Sequence, residues 1–218
     1  MVLAESQTAG VGRLGTHWFS PPRVNLYASI LLRPKFAPPE VPAFSFISAL
    51  AVTDAIRAEG LWGAIKWPND VLVDRKKVGG TLVECAVRDG QVEHVILGVG
   101  VNLNVRREAL RAALGPVARA ATSLSEEAGR EIDRNAFAGA FLTALDRWLD
   151  VWTSEGAEPI LAAWRDRDIL TGRRIEVQNA HAPFDGRVRG VGRDGMLLVE
   201  DSQGALHRVT GAEIRLAD

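Results

Sequence analysis

The chain has 218 residues, 47% of them hydrophobic, which is enough for one substantial core and a small satellite domain. A net charge of −1 excludes a global basic field for nucleic acid or anionic membrane, so any anion must be held by a local group of residues. The only cysteine, Cys85, excludes an intramolecular disulfide and a multi-cysteine metal site.

In chain order, a short apolar start at 1–5 leads into the glycine-rich stretch "QTAGVGRLGTHW". "NLYASILLRP" predicts a buried strand that Pro34 ends. "PPEVPAFSFISALAVTDAIRAEG" predicts a helix after its prolines, with Leu50, Val52, Ala55 and Ile56 on the apolar face and Gly60 at the stop. "AIKW", "DVLV", "VGGTLVECAV" and "HVILGVGVNLN" read as strands of a β-meander, with "DRKK" and "RDGQ" as turns. The second half turns helical. In "DRNAFAGAFLTALDRWLDVWTSEG", Asp133 is the expected N-cap, and Phe137, Phe141, Leu145, Trp148, Leu149 and Trp152 recur at core spacing. After Thr171 the pattern shifts to short strands with glycine turns, predicting a small SH3-like β domain over 171–218 behind a first domain over 1–170. No apolar stretch reads as long enough to span a bilayer and no signal pattern opens the chain, so the expectation is a cytoplasmic protein with no membrane partner.

Three stretches carry the chemistry. Gly10, Gly12 and Gly15 let the first loop approach a ligand closely, and Arg13 adds a forked cation; no Gly-Lys-Ser/Thr follows, so this is not a P-loop. By itself such a loop reads equally well as mobile surface. In "KWPNDVLVDRKKVGG", Asn69 can donate and accept, and Asp70 opens a strand, which sets its carboxylate at a sheet end. Arg75 and Lys76 read as a solvated hairpin turn, whereas the paired Gly79 and Gly80 weaken a strand and need a close approach to justify them. "GVGVNLN" leaves one strand face nearly bare at Gly98 and Gly100 and ends in Asn102, which suits either a narrow ligand or tight helix packing. Trp67 reads at least as well as a buried wedge as a ligand contact, and Cys85 as a small core residue.

Taken together, the Gly-Arg loop, Lys-Trp-Pro-Asn-Asp, Lys-x-Gly-Gly and Gly-x-Gly-x-Asn in this order resemble the biotin protein ligase family, as do "ATSLSEEAG…DRNAF" and the β tail. The resemblance covers essentially the whole chain. It implies an α+β fold: a mixed-sheet catalytic domain with packed helices, then an SH3-like domain. It also implies the joining of biotin and ATP, with Mg2+, into biotinyl-5′-AMP, and transfer of biotin to a lysine of a biotin carboxyl carrier protein domain. By the resemblance, Lys77 bridges the biotin carboxylate and the α-phosphate, and Arg13 holds phosphate oxygens. Trp18 packs on the intermediate, and Gln7 contacts biotin or the acyl linkage. Gly10, Gly12, Gly79 and Gly80 admit the biotin rings and tail, Asn69 and Asn102 contact the adenylate, and Asp70 orients the acceptor amine. No protein metal ligands are expected, and a homodimer is left open.

Two departures from the family stand out. Val11 and Thr16 replace the usual arginines, so the loop over 10–16 is expected to be loose until ligand orders it. The family's upstream Ser-Thr-Asn segment, which holds the ureido end of biotin, does not occur in this sequence, so weak biotin binding is expected. No winged-helix DNA-binding segment is present either, so neither DNA binding nor repression is expected. The rival readings are a lipoate ligase or octanoyl transferase, and a degenerate binding protein without turnover.

Overall fold

A computed structural model describes residues 1–34, 36–178 and 183–216. The first unit is built on strands β1 (Val2–Leu3) and β2 (Leu26–Leu32), helix α1 (Pro42–Ala58), and strands β3 (Ala64–Lys66), β4 (Asp70–Val73), β5 (Lys76–Arg88) and β6 (Gln91–Val101). Its sheet runs in the order β1-β2-β6-β5-β4-β3. The ladders are antiparallel. Parallel pairing enters through two isolated bridges, Ile65–Asp168 and Lys77–Ala121.

The hairpins close as their turn residues dictate. Asp74 and Arg75 have φ of 47° and 61°, and Asp89 and Gly90 have φ of 51° and 76°. Left-handed backbone at both turn positions matches the twist of the flanking strands. The β4–β5 turn is therefore Asp74-Arg75. Lys76, expected in that turn as solvated decoration, is instead the first residue of β5, pairs with Val73 and is ion-paired.

Helix α1 packs between the sheet and the later helices. Phe44, Ile47, Leu50, Ala51, Val52 and Ile56 are all essentially buried, so the apolar face is wider than one stripe. The apolar segment 38–58 corrects the reading that no stretch has membrane-spanning length: it meets that length and composition, and 67% of its most apolar window is buried inside the structure, as in a core helix.

Helices α2 (Arg107–Leu114), α3 (Leu124–Ala128), α4 (Arg134–Glu155) and α5 (Ala157–Arg165) follow. Asp133 caps α4 as expected, its carboxylate accepting from the amides of Asn135 and Ala136, a contact that contributes about 1 kcal/mol. Phe137, Phe141, Leu145 and Trp152 are buried, and Trp148 and Leu149 pack on the core edge. Asp54 on α1 is shared by Arg147 and Trp148 of α4 and by Arg167 beyond α5, which locks the helical layer together.

The C-terminal unit is a five-stranded antiparallel sheet, β7 (Arg174–Gln178), β8 (Phe184–Val191), β9 (Leu197–Asp201), β10 (Leu206–Val209) and β11 (Glu213–Leu216), in the order β10-β9-β8-β7-β11. Residues 179–182 and 217–218 of the expected tail domain lie outside the described residues. This unit touches the first one beside Trp67 and close to the glycine-rich loop. The Trp67 indole donates to the Gly195 carbonyl at 2.9 Å, and a Cβ at Gly211 would stand 3.8 Å from the Arg13 guanidinium.

Candidate active site

The sheet face at the joined ends of β5 and β6 is stripped to backbone. Gly80 pairs with Gly100, and Gly79 with Val101. The glycines are required by approach distance. A Cβ on Gly79 would stand 2.9 Å from the Gly100 carbonyl oxygen, and one on Gly100 would stand 2.7 Å from Cε2 and Nε1 of Trp18. The Trp18 indole thus packs directly on this bare face, with Cζ3 3.7 Å from where a Gly80 Cβ would be.

Charge is set around the indole. Lys77 Nζ lies 5.4 Å from the Trp18 ring centroid and 2.5 Å from Asp70 Oδ1. Asp70 reaches that position because it opens β4 beside Gly80. Asn69 ties the same two strands. Its side-chain amide donates to the Thr81 carbonyl at 2.7 Å, while its own carbonyl accepts from the Thr81 amide at 3.1 Å. Arg13 stands 5.9 Å over the Trp67 ring. Burial pushes the Arg13 guanidinium pKa down, and the Asp70 charge partly offsets this.

The glycine-rich loop has more local structure than its composition predicts. Gly12 N donates to the Thr16 carbonyl at 2.7 Å and Trp18 N to the Gly10 carbonyl at 2.9 Å, closing a small hairpin around a 3-10 turn over Arg13–Gly15. Gly10 is needed there, because a Cβ would stand 2.7 Å from the Trp18 carbonyl oxygen. Gln7 is held at the loop's entry, with Nε2 donating to Ser20 Oγ at 3.0 Å, and Ser20 Oγ in turn donates to the Trp18 carbonyl at 3.0 Å.

Of the residues expected in a site, the structure gathers Trp18, Asp70, Lys77 and Gly80 around one face, with Asn69 and Arg13 beside it and Gln7, Gly10 and Gly12 in the loop that carries Trp18; Gly79 turns to the opposite, buried face against Val101. Asn102 sits differently. It is 6% exposed, donates to the Thr122 carbonyl at 3.1 Å and accepts from Asn25 Nδ2 at 3.3 Å, so its amide is committed to the end of β6. Asn25 is fully buried, donates to the Tyr27 hydroxyl and accepts from Leu103 N. Burial pushes the Tyr27 phenol up to about 12, against the lowering by its hydrogen bond with Asn25 and the charge of Arg134. Sequence reasoning missed this polar layer, along with Ser20 and Thr122. Single Asn, Ser and Thr residues in loops carry no periodic signal. Trp67 is 4% exposed, in keeping with the wedge reading, and its peptide bond to Pro68 is cis. Cys85 lies exposed on β5, away from the expected core position.

Two open cavities of about 460 and 550 Å3 lie elsewhere, one beside Trp62 and Leu72, the other beside Arg23 and Arg134. Neither includes Lys77. The candidate residues lie on a face that the Trp18 indole fills, so shape alone does not single it out.

A bare sheet face with a lysine–carboxylate pair, an indole cover and an arginine loop suits the holding of anions beside a flat ligand. Residues 1–102 match the model of the biotin/lipoate A/B protein ligase family. The biotin–[acetyl-CoA-carboxylase] ligase of Paracoccus denitrificans is 34% identical over 206 residues, covering 93% of this chain and 85% of that one. The bifunctional ligase/repressor BirA of Bacillus subtilis is 31% identical over 99% of this chain, which spans 66% of BirA's length. The solved structure of the biotin protein ligase from Aquifex aeolicus in complex with biotin and ATP matches with a TM-score of 0.82 at 25% identity, covering 99% of this chain and 88% of that one. This chain belongs to the biotin protein ligase family.

Proposed function

We propose that this chain activates biotin with ATP to biotinyl-5′-AMP and passes the biotinyl group to a lysine of a biotin carboxyl carrier domain. One observation carries the reading: Lys77, Asp70 and Trp18 converge on the Gly80–Gly100 face, with Arg13 on the adjoining loop.

In the first step a biotin carboxylate oxygen attacks the α-phosphorus, and pyrophosphate leaves. Two anions must meet, and Lys77 lies between them, lowering their repulsion and stabilising the charge that builds on the phosphorus oxygens. Arg13 adds a second, forked cation for phosphate oxygens. Trp18 covers the face and limits water, to which an acyl-adenylate is vulnerable. In the second step the neutral acceptor amine attacks the biotinyl carbonyl carbon, the bond from that carbon to the phosphate oxygen breaks to release AMP, and the nitrogen gives up its extra proton to solvent. Anions arriving at Lys77 weaken its pair with Asp70. That carboxylate then accepts an N–H from the incoming amine and orients it.

Mg2+ belongs to this reading as part of the substrate, with ATP, where it neutralises phosphate charge. The described residues hold no cluster of three or more His, Cys, Asp or Glu side chains placed to hold a metal ion, and no step above runs through the metal. The test is pyrophosphate release on adding biotin and MgATP, followed by mass-spectrometric detection of a biotinylated carrier domain. Release that answers to lipoate and not to biotin would replace this reading with a lipoate ligase. Tight binding of biotin with no release would replace it with a non-catalytic homologue.

A further inference from the structure

The segment between β6 and α4 is wrapped around the strand end that carries Lys77. The ladder between β5 and β6 runs only as far as Gly79–Val101. Beyond it, the outer edge of β5 would be left with unpaired carbonyls. Two amides take that edge: Asn102 N donates to the Val78 carbonyl at 2.7 Å, and Thr122 N to the Lys77 carbonyl at 2.9 Å. Thr122 is thus a one-residue extension of the sheet, and Ala121 beside it forms the parallel bridge with Lys77. The Thr122 carbonyl accepts from the committed Asn102 amide, which ties this extension to the end of β6.

Glu127 holds the extension in place. Its Oε1 accepts from Thr122 Oγ1 at 2.7 Å and from Lys76 Nζ at 3.0 Å. Side chains alternate along a strand, so Lys76 turns to Glu127 while Lys77 turns to Asp70 and Trp18. One carboxylate therefore fastens both sides of the Lys77 backbone: the residue before it in β5 and the residue hydrogen-bonded to its carbonyl. The Glu127 side chain is 13% exposed. The other charges facing this pair are Asp74 at 3.6 Å from Lys76 and Arg107, which is itself held by Glu126 at 3.6 Å. Burial works to raise the Glu127 pKa. The hydrogen bonds from Thr122 and Lys76 and the charges of Lys76 and Arg107 outweigh it, leaving the carboxyl below its ordinary range.

We propose that Glu127, through Lys76 and Thr122, is a positioning residue for Lys77: it fixes the start of β5 so that the Lys77 ammonium meets the reacting anions. Glu127 touches no substrate. This inference rests on the ligase reading for its kinetic consequence, but its structural half stands on the clamp itself.

The test compares wild-type protein with Glu127→Ala, Glu127→Gln and Lys76→Met by two readouts. Hydrogen exchange, with no substrate present, should show lost protection in Glu127→Ala confined to residues 76–80 and 121–127. In biotin-dependent pyrophosphate release, kcat should fall about tenfold, short of the roughly hundredfold that an ångström of misplacement can cost, with KM for biotin unchanged. Glu127→Gln keeps two acceptor sites in the same shape and should recover most of the loss. Because the two residues act as one unit, Lys76→Met combined with Glu127→Ala should cost little more than Glu127→Ala alone. Unchanged exchange at 76–80 and 121–127, or a folded Glu127→Ala protein with wild-type kcat, would overturn the proposal. If the wild-type protein releases no pyrophosphate with biotin, the ligase reading fails, and the exchange result alone decides the clamp.

Discussion

Replacing Gly100 by alanine tests the site at its tightest contact. The new methyl would stand 2.7 Å from Trp18 Cε2 and Nε1 and 2.9 Å from Cζ2, so it meets the ring along one edge. Carbon atoms are at ease near 3.5 Å, so the indole must retreat by roughly 0.8 Å. It cannot do so freely, since its backbone amide is bonded to Gly10 and its carbonyl accepts from Ser20. The strain amounts to about 1–3 kcal/mol of stability, as for other overpacked sites. The activity cost is set by position: an indole displaced by close to an ångström no longer covers Lys77 correctly, and turnover falls by up to about a hundredfold. Gly98→Ala supplies the contrast. Its Cβ would meet Leu82 at 3.6 Å, an ordinary contact, so its effect on turnover should stay well below that of Gly100→Ala. The assay is biotin-dependent pyrophosphate release at saturating biotin and ATP, alongside thermal melting. A folded Gly100→Ala protein with full turnover would refute the assignment of the Trp18-covered face as the site.

Lys77→Ala should lower adenylation by about a hundredfold or more, the usual loss for one preorganised donor at a developing anion, against about tenfold for Lys76→Ala; equal losses measured for the two would dissolve the distinction between a lysine at the reaction and one in the clamp. Hydrogen exchange of the glycine-rich loop should show the Gly12 and Trp18 amides protected relative to Val11, because they donate within the loop hairpin; uniform fast exchange, suppressed only by a biotinyl-AMP analogue, would restore a loop ordered entirely by ligand. A pH series on Glu127 has a defined sign. Its folded pKa lies below the ordinary carboxylate value, so the contribution of its charge is complete above about pH 4.3 and is lost as pH falls through the lowered value. The melting-temperature gap between wild type and Glu127→Ala should therefore narrow on acidification, down to the part that a neutral acceptor still supplies, and a gap that persists undiminished near pH 2 would show that the charge on Glu127 adds nothing to the clamp.

Much of this protein follows from local sequence rules. The turn at Asp74-Arg75, the cap at Asp133, the apolar run of α1 and the alternating strands of the meander each depend on residues within a few positions of one another, where periodicity and turn chemistry apply directly. Arg13, Asp70, Gly79 and Gly80 stand out in the sequence by type and spacing, whereas Lys77 takes its expected role from the family resemblance. Other features were decided only by contacts between residues far apart in the chain. Trp18 lies on Gly100 across 82 positions, and nothing near either residue signals the partner. Lys76 reads as a turn residue until Glu127, 51 positions on, folds back against it. Asn102 carries the look of a ligand contact until Thr122 and Asn25 claim its amide. A polar side chain advertises its hydrogen-bonding capacity in the sequence. Where that capacity goes depends on which groups burial leaves without water, and only the packed chain determines that.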